Sequence, residues 1–275
     1  LCLHAAGDVP GALDAVRRAV ASDPHAWRAW RSIADITPYE DERVHALEGA
    51  ADALRVLCQT EPAPAPLLGE FATAMIEARK PGRAVRLLRA ISGSPEPAPR
   101  LVRARARALY HAGHHTAAFL EAARLLRLCK PSTASASPAT AFEPAQATSA
   151  LTDIRALLSS AGVESFLIAG TLLGFHRNGG PLPHDRDIDL GVFRTGDGGP
   201  DIAGILRAAP GILLPRIARP GDRYFGLMHK DVAIDIFVHE RSGSHILAGV
   251  SHTPGDLQWR FSDFSLTPVC YAGQT

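Results

Sequence analysis

Apolar positions recur with two different periods along this chain. Through residues 1–130, Ala, Leu and Arg fall at helical spacing, which predicts a run of amphipathic helices. From Leu151 onward glycine becomes frequent, and short β-rich runs alternate with a few helices. Between them lies PSTASASPATAFEPAQATSA (131–150), small, Pro-containing and almost uncharged. Such a segment has too little apolar surface to order itself, so a flexible linker is expected there. The expected organisation is an all-α domain over 1–130, a linker over 131–150 and a mixed domain over 151–275, an α+β chain overall.

In the last domain the patterns are specific enough to place elements. Phe166–Ala169 is a short apolar run suited to a buried strand. Gly170-Thr171 breaks it, and Leu172–His176 can start a helix. Asp187–Val192 alternates, so Asp187 and Asp189 share one face while Ile188 and Leu190 share the other. In Asp231–Val238, Val232, Ile234, Ile236 and Val238 share a face, and Asp235 sits opposite with Ala233 and Phe237. The stretch RTGDGGPD (194–201) has turn composition and is expected to form a loop near these strands.

The helical half carries a weak repeat. Gly7, Ala12, Val16, Ala19 and Pro24 have the spacing of the second half of a tetratricopeptide unit, and Trp30, Ile33 and Ala34 continue it. Ala84 and Ala118 lie 34 residues apart, with Gly113 in register, while TPYEDE (37–42) and EPAPAP (61–66) interrupt the period. Residues 1–130 thus resemble degenerate tetratricopeptide repeats, in which small residues let paired helices approach and each pair covers its neighbour. The resemblance implies docking of a protein partner; a generic Ala-rich bundle is the alternative.

Composition narrows the function. Lys+Arg number 29 against 28 Asp+Glu, a net charge of +1 that argues against a nucleic-acid-wrapping protein. The chain is 46% hydrophobic and 21% charged, enough to bury real cores. No apolar run reaches membrane-spanning length. Cys2, Cys58, Cys129 and Cys270 are too scattered for a zinc knuckle or redox pair, so reduced thiols and a cytoplasmic setting, or one at the inner face of a membrane, are expected. His111, His114 and His115 cluster where a helix end is expected and suit carbonyl contacts better than a metal. The chain opens on Leu1 without a charged-then-apolar leader, which suggests an internal fragment.

The candidate chemistry sits between Phe166 and Asp235. A strand ending in Gly170-Thr171 before a helix exposes backbone N–H groups, a natural phosphate seat. Asp187 and Asp189 repel each other unless a cation lies between them, and carboxylates with room for water and phosphate suit Mg²⁺ or Mn²⁺. Asp235, a lone acid on an otherwise apolar strand, is costly unless paired or metal-bound. It is expected as a third ligand or as the acceptor of a proton from an attacking hydroxyl.

These segments together resemble the LicD/fukutin family. GTLLGFHRNGGPLPHDRDIDLGV (170–192) matches its signature at Gly170, Thr171, Leu172, Leu173, Gly174, Arg177, Gly180, Pro183, Asp187, Asp189 and Gly191. YFGLMHKDVAIDIFVHE (224–240) and FSLTPVCYAGQT (264–275) resemble the family's later blocks. The resemblance implies a nucleotidyltransferase-like mixed sheet flanked by helices. It also implies metal-dependent transfer of phosphocholine or an alditol phosphate from a CDP-linked donor to a glycan acceptor. Asp187, Asp189 and Asp235 would then be catalytic and hold the metal. Gly170 and Thr171 would contact phosphate, Arg177 would neutralise its charge, and Asp185 would stand one step behind the metal. Where many bacterial members carry Trp-Asp-Asp-Asp, this chain has His184-Asp185-Arg186-Asp187. His184 and His229 either touch substrate or are satisfied structural histidines. Relatives usually continue beyond the position of Thr275, so part of the acceptor site is expected to be missing. A nucleoside-monophosphate transferase, an Asp-x-Asp glycosyltransferase and an inactive repeat-bearing scaffold are the competing readings.

Overall fold

The computed structural model describes residues 8–60, 65–90, 98–129, 142–194, 199–250 and 257–268. The chain divides into two compact units, Leu1–Ser135 and Ala136–Thr275.

The first unit is helical: α1 (Val9–Ser22), α2 (Trp27–Ile36), α3 (Glu40–Thr60), α4 (Ala65–Glu77), α5 (Pro81–Ala90), α6 (Pro99–His111) and α7 (His115–Leu128). Its ends follow local chemistry. The Asp8 side chain accepts the Gly11 N–H at the start of α1, and Pro81 and Pro99 open α5 and α6, where a missing N–H is harmless. Each helix packs on its sequence neighbours, and α4 also packs on α6. Trp30 on α2 lies so close to α3 that a Cβ on Gly49 would stand 2.6 Å from its ring. The core runs through Ile33, Leu47, Leu54, Phe71, Met75 and Leu88. Arg31 crosses from α2 to Glu70 and Glu77 of α4 at 2.6 and 3.1 Å. The 21-residue α3 beside the 10-residue α2 departs from the even helix pairs of a regular repeat. Gly7 and much of EPAPAP lie outside the described residues. Cys58 is buried and its thiol is pushed up to about 11 by burial, so it is inert; Cys129 is exposed. No described helix is long and apolar enough to cross a membrane.

The second unit is a mixed sheet with helices. It contains α8 (Pro144–Ser160), β1 (Ser165–Leu167), α9 (Ala169–Asn178), β2 (Asp187–Phe193), α10 (Ile202–Ala208), β3 (Ile212–Leu213), β4 (Tyr224–His229), β5 (Val232–Ser242), β6 (His245–Gly249) and β7 (Gln258–Ser262). Strand order is β1-β2-β5-β4-β3, with β6 joining β5 and β7 joining β6. Among the described residues only β2 and β5 pair in parallel. One sheet face packs on α8 and α10 through Ile188, Leu190, Val192, Ile234, Ile236 and Val238, all essentially unexposed.

The linker expected over 131–150 needs correction at its C-terminal end. Residues 130–141 lie outside the described residues, but α8 begins at Pro144, and Ala147 and Ala150 are fully buried. Together with Leu151, Ile154 and Leu158 they form one helical stripe that straddles residue 150. Alanine lacks the bulk to announce a core position, yet its smallness is what lets α8 lie close to the sheet.

Candidate active site

The site is built where β1 turns into α9 against β2. Ala169 makes that turn with φ +46°, a left-handed conformation rarely adopted by a residue with a side chain. The turn binds the start of α9 to Asp189 at three places. Ile168 N–H donates to the Asp189 carbonyl at 3.4 Å, Asp189 N–H donates to Thr171 Oγ1 at 2.8 Å, and Gly170 N–H donates to the Asp189 carboxylate. Thr171 is fully buried, so its hydroxyl serves the strand and not a solvent-borne phosphate, contrary to the sequence expectation. Thr171→Val keeps the shape but leaves a buried N–H without an acceptor, at a cost of about 1–3 kcal/mol. The melting temperature is expected to fall by several degrees in calorimetry, with Thr171→Ser close to wild type; an unchanged Thr171→Val midpoint would remove this role.

The acids assemble on the sheet face opposite the core. The parallel register sets Asp189 directly beside Asp235, with Asp187 two residues along on the same face. Neighbouring strands lie about 4.8 Å apart, so the carboxylates feel one another strongly. Burial first, then Asp187, Asp235 and Asp185, push the Asp189 carboxyl up to about 6 while the Gly170 N–H opposes. Asp235 is also raised, by burial first and by Asp187. Asp185, in the loop before β2, is raised by burial and then by Asp187.

The donor set fits a hard divalent cation. It is all oxygen, and Asp185 Oδ2 is buried without a hydrogen-bond partner. A Cβ on Gly170 would stand 3.0 Å from that oxygen, so the glycine leaves room for the carboxylate. The register sets two of the three acids expected to hold a metal side by side and the third on the same face. Among the described residues no three such groups already stand in a metal-holding arrangement.

Two expected residues are not brought to the acids. Arg177 is exposed near the C-terminal end of α9, seven positions from Gly170 and so about 10 Å along the helix. His229 lies across from Val232 and therefore on the core-facing side, opposite to Asp235. Its Nε2 meets Asp153 Oδ2 of α8 at 2.8 Å and its Nδ1 meets the Gly211 carbonyl at 3.2 Å. Lys230 reaches the same Asp153 at 2.6 Å, so this cluster clasps the β4–β5 hairpin to α8. His184 is exposed beside Asp185 and opposes the rise of its carboxyl.

One residue was missed from sequence. Tyr224 on β4 donates its hydroxyl hydrogen bond to Asp235 Oδ1 at 2.8 Å. Burial and that contact raise the phenol above its ordinary range. The signal was there: residue 226, directly across from Asp235, is a glycine.

A cavity of about 1310 Å³ is lined by Phe166, Ala169, Phe237, Trp259 and Phe264 among others, and by none of the four acids. Residues 195–198 of the expected 194–201 loop and 269–275 of the third block lie outside the described residues.

A family model described as the LicD/FKTN/FKRP nucleotidyltransferase domain matches residues 162–198. The matched segment runs from the turn before β1 through α9 and β2, and so includes Gly170, Asp185, Asp187 and Asp189 but not Asp235 or Tyr224. Over this segment the chain is similar to that family, which supports a transferase of phosphate-containing groups acting on glycans, at the level of the family. No curated protein matches the chain.

Proposed function

We propose that the second unit is a metal-dependent transferase that moves phosphocholine or an alditol phosphate from a CDP-linked donor to a cell-surface glycan. The observation that carries this reading is the in-register placement of Asp189 beside Asp235, with Asp187 on the same face. Asp187, Asp189 and Asp235 would hold Mg²⁺ or Mn²⁺; bound there, the ion supplies positive charge opposite the donor diphosphate and the phosphoryl group in transfer. Thr171 and Gly170 fix the backbone and carboxylate of Asp189 before substrate arrives, which limits reorganisation during the reaction. Asp185 stands behind Asp187 and tunes the local charge. The acceptor hydroxyl oxygen would form a new bond to the phosphorus that bears choline or alditol as its proton passes to a carboxylate of the site, for which Asp235 is the candidate, and the bond from that phosphorus to the bridging oxygen breaks, so that CMP leaves. The aromatic cavity offers ring faces on which an acceptor sugar can stack. The helical unit would dock a protein partner.

A donor panel tests the reading. CDP-linked donors with Mn²⁺ or Mg²⁺ are expected to raise the melting temperature together, and Asp187→Ala is expected to abolish the shift. A shift with UDP-sugars and none with CDP compounds would replace this reading with a glycosyltransferase.

A further inference from the structure

Asp235 is held by a contact that the strand register alone would not create. Tyr224 lies across from Phe237, two residues from the position facing Asp235, and must lean along β4 to reach it. It does so over Gly226, the residue directly across from Asp235. A Cβ at Gly226 would stand 2.6 Å from Tyr224 Oη and 3.2 Å from Asp235 Oδ1, so the hydrogen bond occupies the space a side chain would fill. The phenol is half-buried, packed against the Phe237 ring with centroids 5.2 Å apart, which limits its swing. The hydroxyl has one carboxylate oxygen as its partner and leaves Oδ2 for another.

We propose that Tyr224 is a positioning residue for cation binding: seated in the notch left by Gly226, it fixes Oδ1 of Asp235 and presents Oδ2 toward Asp189 and a divalent ion. This rests on the metal-dependent reading above and adds to it a residue outside the matched segment. Groups that orient a ligating side chain typically change metal affinity by about 10–100-fold when lost. The two variants attack one contact from opposite sides. Tyr224→Phe removes the hydroxyl, and Gly226→Ala displaces it, so their effects should not add.

The experiment is Mn²⁺ binding to the full chain, without donor, followed by the free-ion electron paramagnetic resonance signal. Tyr224→Phe is expected to weaken Mn²⁺ about tenfold while circular dichroism stays that of wild type. Gly226→Ala is expected to weaken it similarly, and the double variant to lose no more than either single one. A merely structural tyrosine would lower the melting temperature but leave the ion affinity of the folded protein unchanged. If wild type binds Mn²⁺ and Tyr224→Phe binds it equally, the positioning role is overturned and the metal reading stands. If wild type binds no Mn²⁺, both fall. Should Gly226→Ala fail to fold, Tyr224→Phe still decides between these outcomes.

Discussion

Asp189→Asn is expected to fold, to lose transferase turnover by at least about a hundredfold, and to reverse its stability ranking against wild type when metal is added. The reversal follows from charge. In the metal-free protein the Asp189 carboxyl stands at about 6, above its ordinary 3.8, because it is half-buried among other acids. A carboxyl raised by folding contributes stability that is fully present below pH 4 and is lost as pH rises through 6. Above that pH the wild-type side chain is an unfavourable charge, and asparagine removes it while its amide oxygen can still accept the Gly170 N–H. With solvent screening at a half-exposed site, the variant should be more stable by about 1 kcal/mol at pH 7 and indistinguishable near pH 4. Adding Mn²⁺ should stabilise only wild type. Melting curves at pH 4 and 7, with and without Mn²⁺, give four comparisons. An Asp189→Asn protein that still turns over, or that gains as much from Mn²⁺ as wild type, would contradict the assigned role.

Gly174→Ala is expected to be among the most destabilising single-methyl additions in the second unit. A Cβ there would stand 2.7 Å from the Gly180 carbonyl oxygen and 3.0 Å from the Leu182 N. Both are backbone atoms of the segment that returns from α9 to β2, so rotation of a side chain cannot relieve the contact. Gly191→Ala makes a shorter contact, 2.3 Å, but with the Phe166 ring, which can shift. Overpacking of this kind costs about 1–3 kcal/mol, and the backbone case belongs at the upper end. For a unit of this size that is several degrees of melting temperature. Because the displaced segment carries Asp185, Mn²⁺ affinity should fall as well. A Gly174→Ala protein with wild-type melting and Mn²⁺ binding would show that the loop is not pinned to α9.

What could be read from sequence divides along physical lines. Period-two alternation located most of β2 and the first part of β5 and identified their buried faces, because a half-buried strand writes its geometry locally; Asp231 belongs to the turn instead, and β5 runs on to Ser242. A strand-to-helix turn was legible for the same reason but was placed too late: it falls at Ala169, and Gly170 and Thr171 lie inside α9. The pairing of those strands was not legible, since a parallel register is set by contacts between residues far apart in the chain. His229 and Tyr224 show how one missing fact propagates. Lys230 and Asp231 form a two-residue hairpin with φ +50° and +56°, a turn usually marked by Asn-Gly. Had Lys-Asp been recognisable as that turn, simple counting would have set His229 across from Val232 and Gly226 across from Asp235. The first puts the histidine on the core side; the second reveals the notch. In α8 the failure was compositional: alanines judged too small to matter were the buried ones.

The strand that bears Asp235 is 11 residues long; Ala233–His239 pair with β2, its last three residues with β6, and β4 runs along its other edge. Among the described strands it joins the β1–β2, β4–β3 and β6–β7 groups, so separating any of these groups from the others breaks its pairing. An acid at that point is tied to the central pairings of the unit, so the proposed centre is expected to melt with its scaffold, and thermal inactivation is expected to follow global cooperativity instead of local fraying.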